Sequence, residues 1–105
     1  MSKTHNTKNT VPFFNNAVIP NPISGDLYEI MEDLGIEPRF AQKGDSGEKY
    51  AWAADGDRYR LVWESTVEGE FFVIYHEGVH ISDGVGSADD MVRHFLGIDE
   101  DWMPA

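Results

Sequence analysis

The sequence contains one pattern with a known catalytic use, H-E-x-x-H, which is formed by His76, Glu77 and His80. On an α-helix, two histidines four residues apart lie on the same face and can bind zinc. The glutamate between them can then act as a general base toward a zinc-bound water. The chemistry would be metal-assisted hydrolysis, and it requires the residues around the motif to form a helix.

The motif resembles that of the zincin metallopeptidases, and the resemblance covers these five residues only. The extended metzincin form has glycine three residues after the second histidine and a third histidine three residues further on. This chain has Asp83 and Gly86 at those positions. The preceding residues, FFVIY, are typical of a β-strand, and Gly78 interrupts the motif itself. The flanking sequence therefore disfavours the helix that a zinc peptidase needs.

We predict instead that Glu77 and Gly78 form a two-residue hairpin turn. The turn would direct His76 and His80 to opposite faces of a sheet, where they could not share a metal ion. A three-residue turn would bring both imidazoles to one face, so these two histidines remain weak candidates for metal ligands. No other metal, cofactor or catalytic site is predicted.

Two further X-Gly pairs, Asp55-Gly56 and Glu68-Gly69, separate runs rich in aromatic and β-branched residues. Glycine permits the positive φ of a tight turn, so the pattern predicts a four-stranded antiparallel meander over about residues 48–83. If every turn has two residues, the expected cross-strand pairs are Trp52 with Tyr59, Tyr50 with Leu61, Trp63 with Ile74, Ser65 with Phe72, Ile74 with Ile81, and His76 with Val79.

Side chains alternate between the two faces of a strand, so the predicted register divides the meander into an apolar face and a mixed face. The predicted core face carries Tyr50, Trp52, Tyr59, Leu61, Trp63, Phe72, Ile74, Val79 and Ile81. The mixed face carries Ala51, Ala53, Arg58, Arg60, Val62, Glu64, Phe71, Val73, Tyr75, His80 and Ser82. The second set includes an apolar strip that needs either a cover or a partner.

A helix is predicted on each side of the meander. The first spans residues 24–34, with Ser24 as N-cap and Gly35 as terminator, and its apolar residues recur at helical spacing. The second spans residues 88–96 and is expected to end at Gly97. The predicted fold class is α+β, with both helices packed on the aromatic face of the sheet.

The second helix has a start signal of its own, because Ser87 and Asp90 have the spacing of a capping box. Upstream of the first helix, residues 1–10 are interpreted as a polar tail and residues 11–22 as an extended arm. The apolar arm is expected to dock on its own sheet or on a neighbouring molecule. Residues 23–105 are predicted to form a single domain, in which the stretch IEPRFAQ adds an optional short edge strand.

Nineteen acidic residues against eight basic ones give a formal net charge of −11. This charge repels nucleic-acid phosphates and anionic lipid, and it is suited to a basic protein partner. The absence of cysteine excludes disulfides and thiolate chemistry. No apolar run approaches the ~20 residues of a membrane span, and no signal peptide is evident, so we expect a cytoplasmic protein.

The preferred functional hypothesis is a small non-enzymatic binding protein of the inhibitor or immunity type, which occupies a basic, often nucleic-acid-binding, surface of its target. The expected contact residues are Glu29, Glu32, Asp33, Asp89, Asp90, Asp99, Glu100 and Asp101, together with Phe71, Val73 and Tyr75 of the mixed face. One alternative is an assembly component, either of a phage particle or other large complex or of a homo-oligomer, that uses the N-terminal arm. A small zinc hydrolase is the other.

Overall fold

The computed structural model describes residues 10–12, 18–20 and 22–102, and it describes the side chains of residues 22–97. The two short strands that come first, β1 and β2, form a separate antiparallel pair. The next five strands form one antiparallel sheet in the order β3-β4-β5-β6-β7, and a helix lies on each side of that sheet in the chain. The elements are β1 (Thr10–Pro12), β2 (Val18–Pro20), α1 (Gly25–Asp33), β3 (Glu37–Gly44), β4 (Gly47–Ala54), β5 (Tyr59–Thr66), β6 (Gly69–His76), β7 (Val79–Val85) and α2 (Ala88–Trp102).

The α+β class is confirmed, but the sheet has five strands where four were predicted. The extra strand is β3, which pairs with β4 along its whole length through a tight turn at Asp45 and Ser46. This strand was predicted only as an optional short edge strand over residues 36–42, and the meander was expected to begin after the turn, although Ser46-Gly47 is itself an X-Gly pair. A register shift between Pro38 and Phe40 lets the edge strand accommodate the proline, which has no N–H to donate.

The β4–β5 and β5–β6 hairpins have a different register from the predicted one. Trp52 lies opposite Leu61, and Trp63 lies opposite Phe72. The loop between β4 and β5 has four residues, because Asp55, Gly56 and Asp57 all have positive φ. The turn between β5 and β6 is formed by Val67 and Glu68 rather than by the predicted pair Glu68-Gly69. Both errors displace the pairing by two residues, which leaves every side chain on the predicted face.

The third hairpin has the predicted turn, with His76 opposite Val79. A register shift after Ile74 then pairs that residue with Ser82 instead of Ile81. Ser82 therefore lies on the helix side of the sheet rather than on the mixed face, and its hydroxyl is 2.5 Å from Nε2 of His94. This shift was not predicted, because nothing in the turn sequence specifies a bulge three residues further on.

Helix α1 ends as predicted at Gly35, which has a φ of +76°. Its N–H donates to the carbonyl of Glu32 at 3.1 Å, and the N–H of Ile36 donates to the carbonyl of Met31 at 2.8 Å. This is the Schellman pattern, in which glycine supplies the left-handed residue without a Cβ penalty. At the other end Ser24 is the N-cap residue, but its hydroxyl makes no capping hydrogen bond.

Helix α2 begins with the predicted capping box. The N–H of Ser87 donates to Oδ2 of Asp90 at 2.9 Å, and the N–H of Asp90 donates to Oγ of Ser87 at 3.1 Å. The helix does not end at Gly97 but continues to Trp102. The predicted end was wrong because a single glycine costs a helix only about 1 kcal/mol relative to alanine and ends it only when the backbone turns left-handed.

Both helices pack on the aromatic face of the sheet. Helix α2 lies over β5 and β6, and the N–H of Ser24 at the start of α1 donates to Oδ1 of Asp89 at 2.8 Å. Two residues predicted for the core are less buried than expected: Val79 is 62% exposed beside its turn, and Ile81 is half-buried. The joint core comprises Ile23, Leu27, Met31, Ile36, Ala41, Tyr50, Trp52, Ala54, Tyr59, Leu61, Trp63, Phe72, Ile74, Ala88, Met91, Val92 and Phe95.

Strand β1 of the N-terminal arm lies beside β3. The predicted tail of residues 1–10 lies outside the described residues, apart from Thr10, and so do residues 13–17 and 21 of the predicted arm. Within the described ranges, neither helix has the length and apolar character needed to span a membrane.

Candidate functional site

The H-E-x-x-H motif lies on a β-hairpin. Strand β6 ends at His76, β7 begins at Val79, and the turn residues Glu77 and Gly78 have φ values of +51° and +84°. Positive φ at both positions is the type I′ geometry that matches the twist of a two-residue hairpin. The helix that a zinc peptidase requires is absent from this part of the chain.

The turn places the two histidines on opposite faces of the sheet. His76 lies on the helix side, with its ring centroid 4.5 Å from that of Tyr59. His80 lies on the other side, next to Tyr75, and its Nε2 is 2.9 Å from Oδ2 of Asp83. Across the described residues, no three histidine, aspartate or glutamate side chains are grouped so that they could hold a metal ion. The geometry therefore gives these histidines no shared ligand role.

The face of the sheet that points away from the helices carries the predicted apolar strip. We call it the open sheet face. Val62 is opposite Val73, Arg60 is opposite Tyr75, and Phe71, which is 38% exposed, is opposite Glu64. All four strip residues, Val62, Phe71, Val73 and Tyr75, thus share one surface as predicted.

Strand β3, which was predicted only as an optional short edge strand, extends the open sheet face. Phe40 pairs with Ala51 and so lies on the same face as Ala51, whose partner on the other side is Val62 of β5. Ala51 and Ala53 are only 8% and 7% exposed, and their small side chains leave a depression between larger neighbours. Counting outward from the Asp45-Ser46 turn, as was done for the other hairpins, would have found Phe40.

Three cations surround this depression. Arg39, Lys49 and Arg60 line a cavity of about 390 Å³ whose apolar walls include Phe40 and Val62. Arg39 is held in place by a carboxylate, since its Nη2 lies 3.1 Å from Oδ1 of Asp57. Another arginine at the same end of the sheet is also paired: Arg58 contacts Asp55 at 3.4 Å and Glu77 at 3.5 Å. In the part of the chain that the structure describes, neither Lys49 nor Arg60 has an ion-pair partner.

The acidic residues predicted to contact a partner lie mainly on the opposite side of the molecule. Glu29, Glu32 and Asp33 are exposed on α1, which packs on the helix side of the sheet. Helices α1 and α2, together called the helix layer, contain nine acidic residues, four in α1 and five in α2, and one arginine. The structure therefore separates the predicted acidic residues from Phe71, Val73 and Tyr75.

Two of the predicted contact residues also have structural roles. Asp89 accepts the hydrogen bond from the N–H of Ser24 that joins the two helices. Asp90 accepts from the backbone N–H and interacts with the hydroxyl of Ser87, and these hydrogen bonds hold the pKa of its carboxyl below the usual value. Asp99, Glu100 and Asp101 fall within the span of α2, but their side chains lie outside the described residues.

Acidic residues occupy the wrong end of α1 for helix stability. Glu32 and Asp33 are in its last turn, where the helix dipole is negative, and no basic residue accompanies them. Helix α2 likewise has no basic residue in its last turn, where the chain carries Asp99, Glu100 and Asp101. Cations would stabilise these positions, so the acids there do not serve the stability of the fold.

No protein-family model, curated protein sequence or solved structure matches this chain. What the protein binds is therefore inferred from the charge and shape of its helix layer and its open sheet face.

Proposed function

We propose that the protein is a non-enzymatic binding protein whose helix layer occupies a basic surface of a partner protein. The observation that supports this most directly is the placement of acids at the C-terminal ends of both helices. Residues that conflict with local stability tend to occur at functional sites, so the unfavourable placement at both helix ends is consistent with a binding role. The proposal requires no bound metal or cofactor.

The uneven distribution of charge indicates which side of the molecule would bind a basic partner. Five of the eight basic residues of the chain belong to β3, β4, β5 and the loop after β4, whereas the helix layer contains only Arg93. The negative potential is therefore strongest on the helix side. Such a surface accelerates encounter with a basic partner and disfavours acidic ones.

An inhibitor of a nucleic-acid-binding protein is the form of this function that the charge suits best. Rows of carboxylates on a rigid helix can occupy cationic positions that otherwise bind phosphates. Within the helix layer, Glu32 and Asp33 have no ion-pair partner among the described residues, so their charges remain available to a partner. Binding of this kind is expected to weaken steeply as salt rises.

The test begins with capture of partners at low salt from a lysate of the organism that encodes the chain, followed by mass spectrometry. Binding of the purified partner is then measured by calorimetry at about 50 mM and 300 mM salt, where screening differs strongly. We expect affinity to fall at least tenfold between the two, and we expect the double variant E32Q/D33N to weaken binding at low salt. Competition by nucleic acid would identify the inhibitor mode.

The control is the double variant K43Q/R93Q, which removes two positive charges, one on β3 and one on α2, and so makes the protein more negative. It should not weaken binding. Salt-insensitive affinity, or equal binding by the wild type and E32Q/D33N, would contradict the proposal.

A further inference from the structure

The open sheet face carries a second surface whose chemistry is opposite to that of the helix layer. Its cavity combines two aromatic side chains, Phe40 and Tyr75, with three cations. A volume of about 390 Å³ is within the range of small-molecule sites, which are mostly apolar with a few placed polar groups. The composition of this cavity is unusual for a chain with a net charge of −11.

The floor and walls of the cavity follow from the register of the sheet. Ala51 lies between Phe40 on β3 and Val62 on β5, so a methyl group is flanked by two larger apolar side chains. Because side chains on one face recur every second residue, Lys49 and Ala53 stand at either side of Ala51 on its own strand. A flat ring can approach the sheet at this point, where the described side chains nearest the sheet are the methyl groups of Ala51 and Ala53.

The cations differ in how much of their charge is available. Arg39 is engaged by Asp57 and lies 3.5 Å from Glu37. Lys49 has Glu64 as its cross-strand neighbour, which offsets part of its field without a close ion pair. Arg60 is flanked across the strands by Ala53 and Tyr75, neither of which is charged. Arg60 is therefore the strongest anion-binding group in the cavity.

We propose that this cavity binds a small planar aromatic anion. Its ring would lie on Ala51 and Val62 against the rings of Phe40 and Tyr75, and its anionic group would accept hydrogen bonds from the guanidinium of Arg60. A guanidinium presents several donors in one plane, which suits a carboxylate or a phosphate group equally. The shared chemistry is a ring bearing one anionic group.

A second cavity continues the surface past Arg60. It is lined by Asp57, Arg58, Arg60, Tyr75 and Gly78, so Arg60 and Tyr75 border both spaces. Arg58 here is paired with Asp55 and Glu77. Anions longer than a single ring with one charged group therefore have room to extend toward the β6–β7 turn.

The experiment uses the full chain labelled with ¹⁵N and three probes that share the planar naphthalene ring system: 1-naphthoate, 1-naphthyl phosphate and the uncharged 1-naphthamide. We expect both anions to shift the amide signals of Ala51, Arg60, Val62 and Tyr75 and to leave those of α2 unchanged. The ratio of the two affinities distinguishes a carboxylate ligand from a phosphate ligand. The uncharged amide should bind at least tenfold more weakly, because it lacks the charge-assisted hydrogen bond.

Two variants test the assignment, and each has a built-in control. Arg60→Gln should weaken the binding of both anions about tenfold and leave the weak binding of 1-naphthamide unchanged. Arg93→Gln removes the same charge from α2 and should have no effect. Tyr75→Leu keeps an apolar side chain but removes a ring, so it should weaken all three probes while the dispersion of the amide spectrum confirms folding.

Three results would overturn the proposal. The first is the absence of shifts on the open sheet face at probe concentrations near 1 mM, a weak-binding threshold. The second is equal binding of charged and uncharged probes by the wild type. The third is an equal loss in the Arg60→Gln and Arg93→Gln variants, which would reduce the effect to net charge.

Discussion

Tyr50 shows how a single core residue combines packing with a titratable group. Its ring stacks on that of Trp52 at 5.7 Å, and its hydroxyl lies 3.4 Å from Oε1 of Glu48. Burial, reinforced by the negative charge of Glu48 and their hydrogen bond, raises the pKa of the phenol to about 12. The folded protein therefore holds this proton more tightly than the unfolded chain does.

The sign of the linkage predicts how stability depends on alkaline pH. Because the folded pKa is raised above the ordinary value of 10, the contribution of Tyr50 is complete below pH 10 and is lost as pH rises toward about 12. We expect the free energy of unfolding in urea to fall across that window. Tyr50→Phe should make the fall shallower, and identical slopes for the two proteins would contradict the assignment.

Gly84 is another residue whose identity is dictated by its neighbour. A Cβ built at Gly84 would lie 2.5 Å from Cζ of Phe72, a buried core ring on the facing strand. We expect Gly84→Ala to destabilise the fold by about 1–3 kcal/mol, as overpacking usually does. Gly97→Ala is the matched control, because nothing lies within 4 Å of its Cβ and alanine is the better helix former. In urea denaturation the first should unfold earlier than the wild type and the second later.

The histidines of the H-E-x-x-H motif make a further prediction at this scale. Since His76 and His80 lie on opposite faces of a hairpin, equimolar zinc should leave the midpoint of thermal unfolding unchanged. The double variant H76A/H80A should respond to zinc as the wild type does. A zinc-dependent rise that this variant abolishes would show that the pair binds metal after all.

At the scale of elements, turn residues and face alternation determined what the sequence could reveal. The predicted positions of the turns near Gly56, Gly69 and Gly78 separated the right strands, and the two-residue register errors preserved both faces. Strand β3 was predicted only as an optional short edge strand, because Pro38 disfavours a strand interior. The far end of α2 was missed, because a helical Gly97 carries a weak local signal. The cation-lined cavity was missed because two of its seven lining residues, Arg39 and Phe40, come from β3.

The acidic end of α1 provides the prediction that belongs to this scale. Glu32 and Asp33 oppose the helix dipole, so the variant E32Q/D33N should be more stable than the wild type by about 0.3–1 kcal/mol at low salt. Urea denaturation measures the gain. K43Q/R93Q should show none, and a destabilised E32Q/D33N variant would mean that these carboxylates support the fold.

At the scale of the whole molecule, charge is distributed unevenly between two layers. The helix layer is strongly acidic, while the open sheet face carries most of the cations of the five-stranded sheet. Mutual repulsion in the helix layer disfavours the compact state, and added salt screens it over about 10 Å at 0.1 M. Folding stability should therefore depend on ionic strength.

We expect the midpoint of thermal unfolding to rise by roughly 4 °C or more, about 1 kcal/mol, between low salt and 150 mM sodium chloride. Scanning calorimetry measures it, and E32Q/D33N should show a smaller rise because it carries two fewer negative charges. A midpoint that falls with salt would mean that the ion pairs of Arg39 and Arg58 outweigh the repulsion.

The order of the strands in the five-stranded sheet is also their order in the chain, so each strand pairs only with the strands directly before and after it. Closing each hairpin loop costs little entropy, and any one of them can nucleate before its neighbours. The distant partners are the helices, since the hydrogen bond from Ser24 to Asp89 joins residues 65 positions apart. Folding can therefore proceed by zipping outward from a hairpin, with the docking of the first helix against the second as the late step that completes the core.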